Sequence, residues 1–252
     1  MKSFFGWVGG KSQLAPKIVK EFPKHHTYVE VFGGAGWVLF QKDQAQSKVE
    51  VYNDINGDLV NLMTVAKHRP SALSESMRNL LFSRQMMKRC LEPGDHLGEV
   101  DRASRFLYLI KNSFGAKLGA GWAMSRKSPP RTLINGELVQ QVSERLKKVY
   151  IDHQGFGKLI PLWDSKQTLF YLDPPYSGDL GKHYQHQMAL EDHEKLRRIL
   201  GKAKGKWILS YDASPAIRKL YKGYRMKTLD IKYSLNNKTT KQTRQELLIS
   251  NC

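Results

Sequence analysis

The chain has 252 residues, enough for one large core or for one domain carrying an insertion. Lysine and arginine total 41 against 23 aspartate and glutamate, a formal net charge of +18, which points to a polyanion as partner. No apolar run reaches membrane-spanning length, Met1-Lys-Ser-Phe-Phe-Gly lacks a secretory pattern, and Cys90 and Cys252 stand far apart without histidines at metal spacing; a membrane span, a disulfide framework and a zinc site are therefore not expected, and a cytoplasmic protein is.

The charge is uneven. Residues 1–70 carry 9 basic and 6 acidic residues, residues 71–150 carry 14 and 7, and residues 151–252 carry 18 and 10. No long basic amphipathic helix stands out, so nucleic acid fits the surplus better than a membrane surface.

Near the start, Trp7 and Lys11 flank Gly9-Gly10, where bare backbone, a stacking ring and a cation make a candidate nucleotide-edge site. A helix-like run follows from Gln13 to Phe22. Tyr28-Val-Glu-Val-Phe32 reads as a strand, Gly33-Gly-Ala-Gly36 as a tight turn, and Trp37-Val-Leu-Phe40 as the opening of a helix. Val49-Glu-Val-Tyr52 reads as a second strand running into Asn53-Asp54. Asp54 lies 18 residues beyond Gly36, close to the spacing of about 20 for an acid that binds ribose hydroxyls from the tip of the second strand; alternatively it caps the helix expected over 55–67.

From about residue 70 to 148 the character changes. One helix is expected over 73–91, a break at Glu92-Pro-Gly-Asp95, and a helix over 101–111. Residues 112–131 then mix glycines, aromatics and the bases Lys117, Arg126, Lys127 and Arg131, a composition suited to a DNA-contacting loop or hairpin with Lys111 and Asn112 at its base. A helix over 135–148 closes the segment. Beyond a strand at Val149-Tyr-Ile-Asp152 comes Thr168-Leu-Phe-Tyr-Leu-Asp-Pro-Pro-Tyr176, an apolar strand running abruptly into an acid, two prolines and an aromatic. The prolines stiffen the backbone at the strand's carboxyl end, where open α/β sheets bind ligands. A polar loop over 177–187 contains His183 and His186, which lack a third ligand, so no metal is expected. A basic helix over 189–203 and strands at Trp207–Tyr211, 224–232 and Glu246–Ile249 complete the chain.

In this order, Trp7 to Lys11, Phe32-Gly-Gly-Ala-Gly36, Asp54, a basic insertion and Asp173-Pro-Pro-Tyr176, the sequence resembles the Dam-like, α-class adenine-N6 DNA methyltransferases over nearly its whole length. The resemblance implies an α/β fold: a Rossmann-like methyltransferase sheet with helices on both faces and an inserted, mostly helical target-recognition domain at 70–148, the catalytic domain comprising 1–69 and 149–252. It implies S-adenosylmethionine as cofactor, touched by Trp7, Lys11, Glu30, Phe32, Gly33, Gly34, Gly36, Asp54 and Asp173. It implies Asp173, Pro174 and Tyr176 as the groups holding a flipped adenine, and double-stranded DNA as partner of a monomer in a bacterial or phage-infected cell. Lys111, Asn112, Lys117, Arg126, Lys127 and Arg131 are the DNA-contacting candidates. The chain departs from the family in having Gly115-Ala116 after Phe114, where relatives have Asn-Gly, and Gly155-Phe156 in place of Asp-Phe. An amino methyltransferase acting on RNA or cytosine, and a DNA-binding protein without catalysis, are the alternatives.

Overall fold

The structure, a computed structural model, describes residues 1–94, 96–116, 118, 121–125, 127–130, 132–176, 188–232 and 243–252. Among the described residues seven strands form a single sheet: β1 (Thr27–Glu30), β2 (Val49–Asn53), β3 (Val149–Asp152), β4 (Thr168–Leu172), β5 (Lys206–Asp212), β6 (Arg225–Lys232) and β7 (Thr243–Ser250). Their spatial order is β3-β2-β1-β4-β5-β7-β6, with the first five parallel and β7 antiparallel to both of its neighbours. Val29 pairs with Val51 on one side and Phe170 on the other, and Glu30 with Tyr52 and Tyr171.

The strands at the centre are apolar on both faces because both are covered. Tyr28, Tyr52, Leu169, Tyr171 and Ile208 face one core. Packed there are α1 (Ala15–Val19), α2 (Trp37–Gln41) and α3 (Gly57–His68). Val29, Val51, Phe170, Leu172, Trp207 and Leu209 face the other core, under α8 (Phe156–Trp163), α9 (Leu190–Lys202) and α10 (Pro215–Leu220). The expected sheet with helices on both faces is thus observed. No helix among the described residues is long and apolar enough to cross a membrane.

Between β2 and β3 the chain forms α4 (Pro70–Arg78), α5 (Arg84–Leu91), α6 (Glu99–Asn112) and α7 (Gly136–Leu146). Their apolar faces, including Leu73, Met77, Phe106 and Val142, belong to the same core as α3. The single helix expected over 73–91 is two. The Tyr108 hydroxyl donates to the Leu81 carbonyl at 3.0 Å, and Ser83 caps α5 by accepting the Met86 N–H at 3.0 Å, so a tertiary contact and a cap end α4 where the sequence carries no glycine or proline.

The end of α7 is tied to the sheet by charge. Arg145 donates to both oxygens of Glu50 on β2, at 2.6 and 2.9 Å, and to the Leu39 carbonyl at 2.9 Å. Lys42 joins the same carboxylate at 2.9 Å. All three charged groups are buried, so each holds the others in place.

Candidate catalytic site

β1 lies between β2 and β4, so the connections leaving it diverge and a crevice opens at the carboxyl ends of these strands. A cavity of about 520 Å3 fills that crevice, within the range of small-molecule sites. Its floor is the glycine turn after β1. Gly33 N–H donates to the Asn53 carbonyl at 2.7 Å and Gly36 N–H to the Gly33 carbonyl at 2.8 Å. Gly34 and Gly36 have φ of 50° and 67°, a conformation glycine adopts without steric cost. A side chain at Gly33 would run into the Tyr52 ring, and the Tyr52 hydroxyl donates to the Gly34 carbonyl at 2.7 Å. The turn is therefore kept bare, presenting backbone to whatever occupies the cavity.

Asp54 braces this turn. Its Oδ2 accepts the Gly34 N–H and its Oδ1 the Asn56 N–H, both at 2.8 Å. The capping role considered for Asp54 belongs to Asn56, whose Oδ1 accepts the Asp58 and Leu59 N–H groups at the start of α3. Asp54 lines the cavity together with Trp7, Lys11, Glu30, Phe32, Gly33 and Gly34; Gly36 ends the turn outside the lining. Trp7 packs on Phe106 of α6 with 5.9 Å between ring centres. Trp37, Gln154 and Phe156, none of them among the cofactor contacts expected from the sequence, also line the cavity. Phe156 faces Phe32 at 6.0 Å, so two rings flank one wall; it comes from α8, a helix the sequence did not signal because Gly157 and Pro161 lie within it.

Glu30 is buried at the end of β1, and burial pushes its carboxyl from 4.5 up to about 8, against a 2.8 Å hydrogen bond from the Tyr28 hydroxyl. Asp173 follows directly on β4. Lys11 Nζ lies 2.7 Å from Asp173 Oδ1 and 3.1 Å from Glu246 Oε1, and donates to the Tyr176 hydroxyl at 2.8 Å. The Ser210 hydroxyl donates to Asp173 Oδ1 at 2.9 Å, so both of these contacts fall on Oδ1. The Tyr176 hydroxyl in turn donates to Glu246, and Lys11 sits 5.0 Å from the Tyr176 ring centre. Burial raises the Asp173 and Glu246 carboxyls while the shared Lys11 ammonium pulls both the other way. Tyr176 rests on Tyr211 at 5.7 Å, and Pro174 is buried beside it.

Glu246 and Ser210 are the parts of this cluster that sequence reasoning missed. Glu246 begins the run Glu246-Leu-Leu-Ile249 and reads there as the polar entry to a strand. Only the antiparallel return of β7 beside β5 brings it to Lys11.

The expected hairpin is present. Ser113 and Trp122 pair as an antiparallel bridge, Phe114 N–H donates to the Gly121 carbonyl at 3.0 Å, and Ala123 N–H donates to the Asn112 carbonyl at 2.7 Å. Phe114, directly after the bridge, is 69% exposed. Lys127 is exposed and Lys111 half-buried. Asn112, expected on DNA, is buried, and its Nδ2 donates to the Tyr108 carbonyl at 2.8 Å within α6, while its own carbonyl accepts the Ala123 N–H of the hairpin stem. Lys117, Arg126, Arg131, His183 and His186 lie outside the described residues. Among the described residues no group of three or more His, Cys, Asp or Glu is placed to hold a metal ion.

Comparison with known proteins agrees with this geometry. The family model for the D12 class N6 adenine-specific DNA methyltransferases matches residues 7–235. A type II methyltransferase of Lactococcus lactis subsp. cremoris is 26% identical over 278 residues, covering 100% of this chain and 95% of its own. The type II methyltransferase M.MjaIII of Methanocaldococcus jannaschii is 27% identical over 288 residues, covering 100% and 99%. A DNA adenine methylase of Haemophilus influenzae is 25% identical over 286 residues, covering 99% and 93%. The chain belongs to the D12 class of N6 adenine-specific DNA methyltransferases.

Proposed function

We propose that the cavity binds S-adenosylmethionine and that an adenine flipped out of duplex DNA is held at its open side by Asp173, Pro174 and Tyr176. The observation carrying this reading is the position of Asp173: its carboxylate lines the cavity at the end of β4 while Lys11 and Ser210 occupy only Oδ1. The cavity suits the donor. Its floor is bare backbone at Gly33 and Gly34, Asp54 borders it as a ribose partner, and Trp7, Phe32 and Phe156 give flat apolar walls for a purine. S-adenosylmethionine supplies a methyl group activated on a sulfonium.

The chain's part is to position the acceptor nitrogen. An adenine amino group is a weak nucleophile because its lone pair is delocalised into the ring. Asp173 Oδ2 and the Pro174 carbonyl accept its two N–H groups, which turns the freed lone pair toward the methyl group. Tyr176 stacks on the ring. Orientation and fixed dipoles supply the barrier reduction, as expected where no strong base is required, and the base must leave the duplex to reach them. Glu246 acts as a positioning residue, holding Lys11 and the Tyr176 hydroxyl from behind.

Residues 70–148 serve as the target-recognition unit, with 1–69 and 149–252 as the catalytic unit. The exposed Phe114 and Lys127 support a hairpin that enters or grips the duplex, joined by Lys117, Arg126 and Arg131 in the same segment. The test is labelled methyl transfer from S-adenosylmethionine to genomic DNA followed by nucleoside analysis. N6-methyl-2′-deoxyadenosine is the expected product; label in cytosine, or only in RNA, would overturn the reading.

A further inference from the structure

Among the described residues Lys11 is the one basic residue lining the catalytic cavity, and many of the other lysines lie elsewhere on the sheet. β7 runs opposite to the other six strands, so six strands begin at the same end of the sheet, the end away from the cavity. Each is entered through a lysine: Lys24 before β1, Lys48 before β2, Lys148 before β3, Lys166 before β4, Lys204 before β5 and Lys222 before β6. All six are exposed, and among the described residues none of them makes an ion pair. Nearby acids are engaged elsewhere. Asp164 accepts the backbone N–H groups of Lys204 and Gly205 at 3.0 and 2.9 Å, and Glu21 pairs with Lys227 at 2.6 Å.

We propose that this lysine row is a second binding surface for duplex DNA, separate from the catalytic one, which lets the enzyme hold a second segment while the first is in the site. From β3 to β6 the row crosses six strand spacings, roughly 29 Å at about 4.8 Å each. That length matches about eight base pairs of phosphate backbone at about 3.4 Å per step along one strand. Lys166 and Asp173 mark opposite ends of β4, roughly 23 Å apart at about 3.3 Å per residue, so a duplex seated over Asp173 does not reach the row. A linear polyanion suits a row of cations along one end of the sheet, one at the start of each strand except β7, which begins at the other end, and DNA is already the substrate. A membrane surface or a folded RNA is the competing partner that the experiment separates.

The test uses the full chain and the variant Lys48→Gln/Lys148→Gln/Lys166→Gln/Lys204→Gln. Enzyme is bound to a bead-attached duplex, washed, and offered a short fluorescent duplex. The wild type is expected to capture the second duplex and the variant to capture at least about tenfold less, with a log–log salt slope shallower by about 3 to 4 for the loss of four phosphate contacts. Methyl transfer to a short duplex should stay within about twofold of wild type. Equal capture by both proteins, a parallel loss of methyl transfer in the variant, or wild-type capture of anionic vesicles or RNA but not of duplex would each overturn the proposal. Loss of methyl transfer from the wild type itself would instead strike the assignment of the catalytic site, which this inference does not use.

Discussion

Glu246 offers the sharpest perturbation, because it touches the reactive cluster without lining the cavity. Its carboxylate holds two groups, the Lys11 ammonium at 3.1 Å and the Tyr176 hydroxyl. Hydrogen bonds to a charged group contribute about 1.5 to 3 kcal/mol, roughly twice the neutral kind. Glu246→Gln keeps an acceptor for Tyr176 but removes the charge facing Lys11, a loss of about 1.4 kcal/mol or about tenfold in kcat. Glu246→Ala removes both contacts, about 2.7 kcal/mol or about a hundredfold. Steady-state methyl transfer gives kcat, and calorimetry gives the Kd for S-adenosylmethionine, which should stay within about threefold because Glu246 does not face the donor. A thermal melt checks that each variant folds. An alanine variant with native Tm and kcat within about twofold of wild type would refute the positioning role. So would a glutamine variant as impaired as alanine.

Glu30 predicts a pH effect on stability. Its carboxyl titrates at about 8 in the folded chain against 4.5 normally, so between those values the folded state holds a proton that the unfolded state has released. Stability from this group is therefore lost as pH rises, by about 1.4 kcal/mol per unit. Glu30→Gln in donor-free protein should melt near wild type at pH 5 and clearly above it at pH 8.5; equal differences at both values would contradict the assignment. Gly33→Ala forces a methyl group against the buried Tyr52 ring and should cost about 1 to 3 kcal/mol, with donor affinity falling alongside in calorimetry. Arg145→Met leaves Glu50 with Lys42 alone as its cation and should lower unfolding free energy by about 3 to 5 kcal/mol in denaturant titration; a change below about 1 kcal/mol would mean that the contact is dispensable.

Much of the fold was legible because its cues are local. The apolar run Thr168–Leu172 ending at Asp173-Pro-Pro and the glycines after β1 set one edge and the floor of the cavity, and each reads from a few adjacent residues. What escaped depends on contacts distant in the chain. The break between α4 and α5 is made by Tyr108, and Glu246 gains its meaning only from Lys11 near the other end of the sequence. α8 was hidden because Gly157 and Pro161 lower helix propensity, while Leu159 and Ile160 packing against the sheet restores it. Asn112 shows a role that its neighbourhood in the sequence hides. A polar residue beside a basic loop suggests DNA, and its amide donates to the Tyr108 carbonyl of the helix it ends. The charge surplus was legible in amount but not in place, since only the strand directions reveal that six lysines at strand entries lie at the end of the sheet away from the cavity.

The central claim is that Asp173 holds the acceptor nitrogen from the end of β4. Single-turnover methyl transfer by Asp173→Ala, measured beside its calorimetric affinity for S-adenosylmethionine and its melting curve, tests it most directly. The account predicts a folded protein that binds the donor and transfers methyl at least about a thousandfold more slowly, a barrier increase of about 4 kcal/mol. A folded Asp173→Ala protein with turnover within about tenfold of wild type would contradict it.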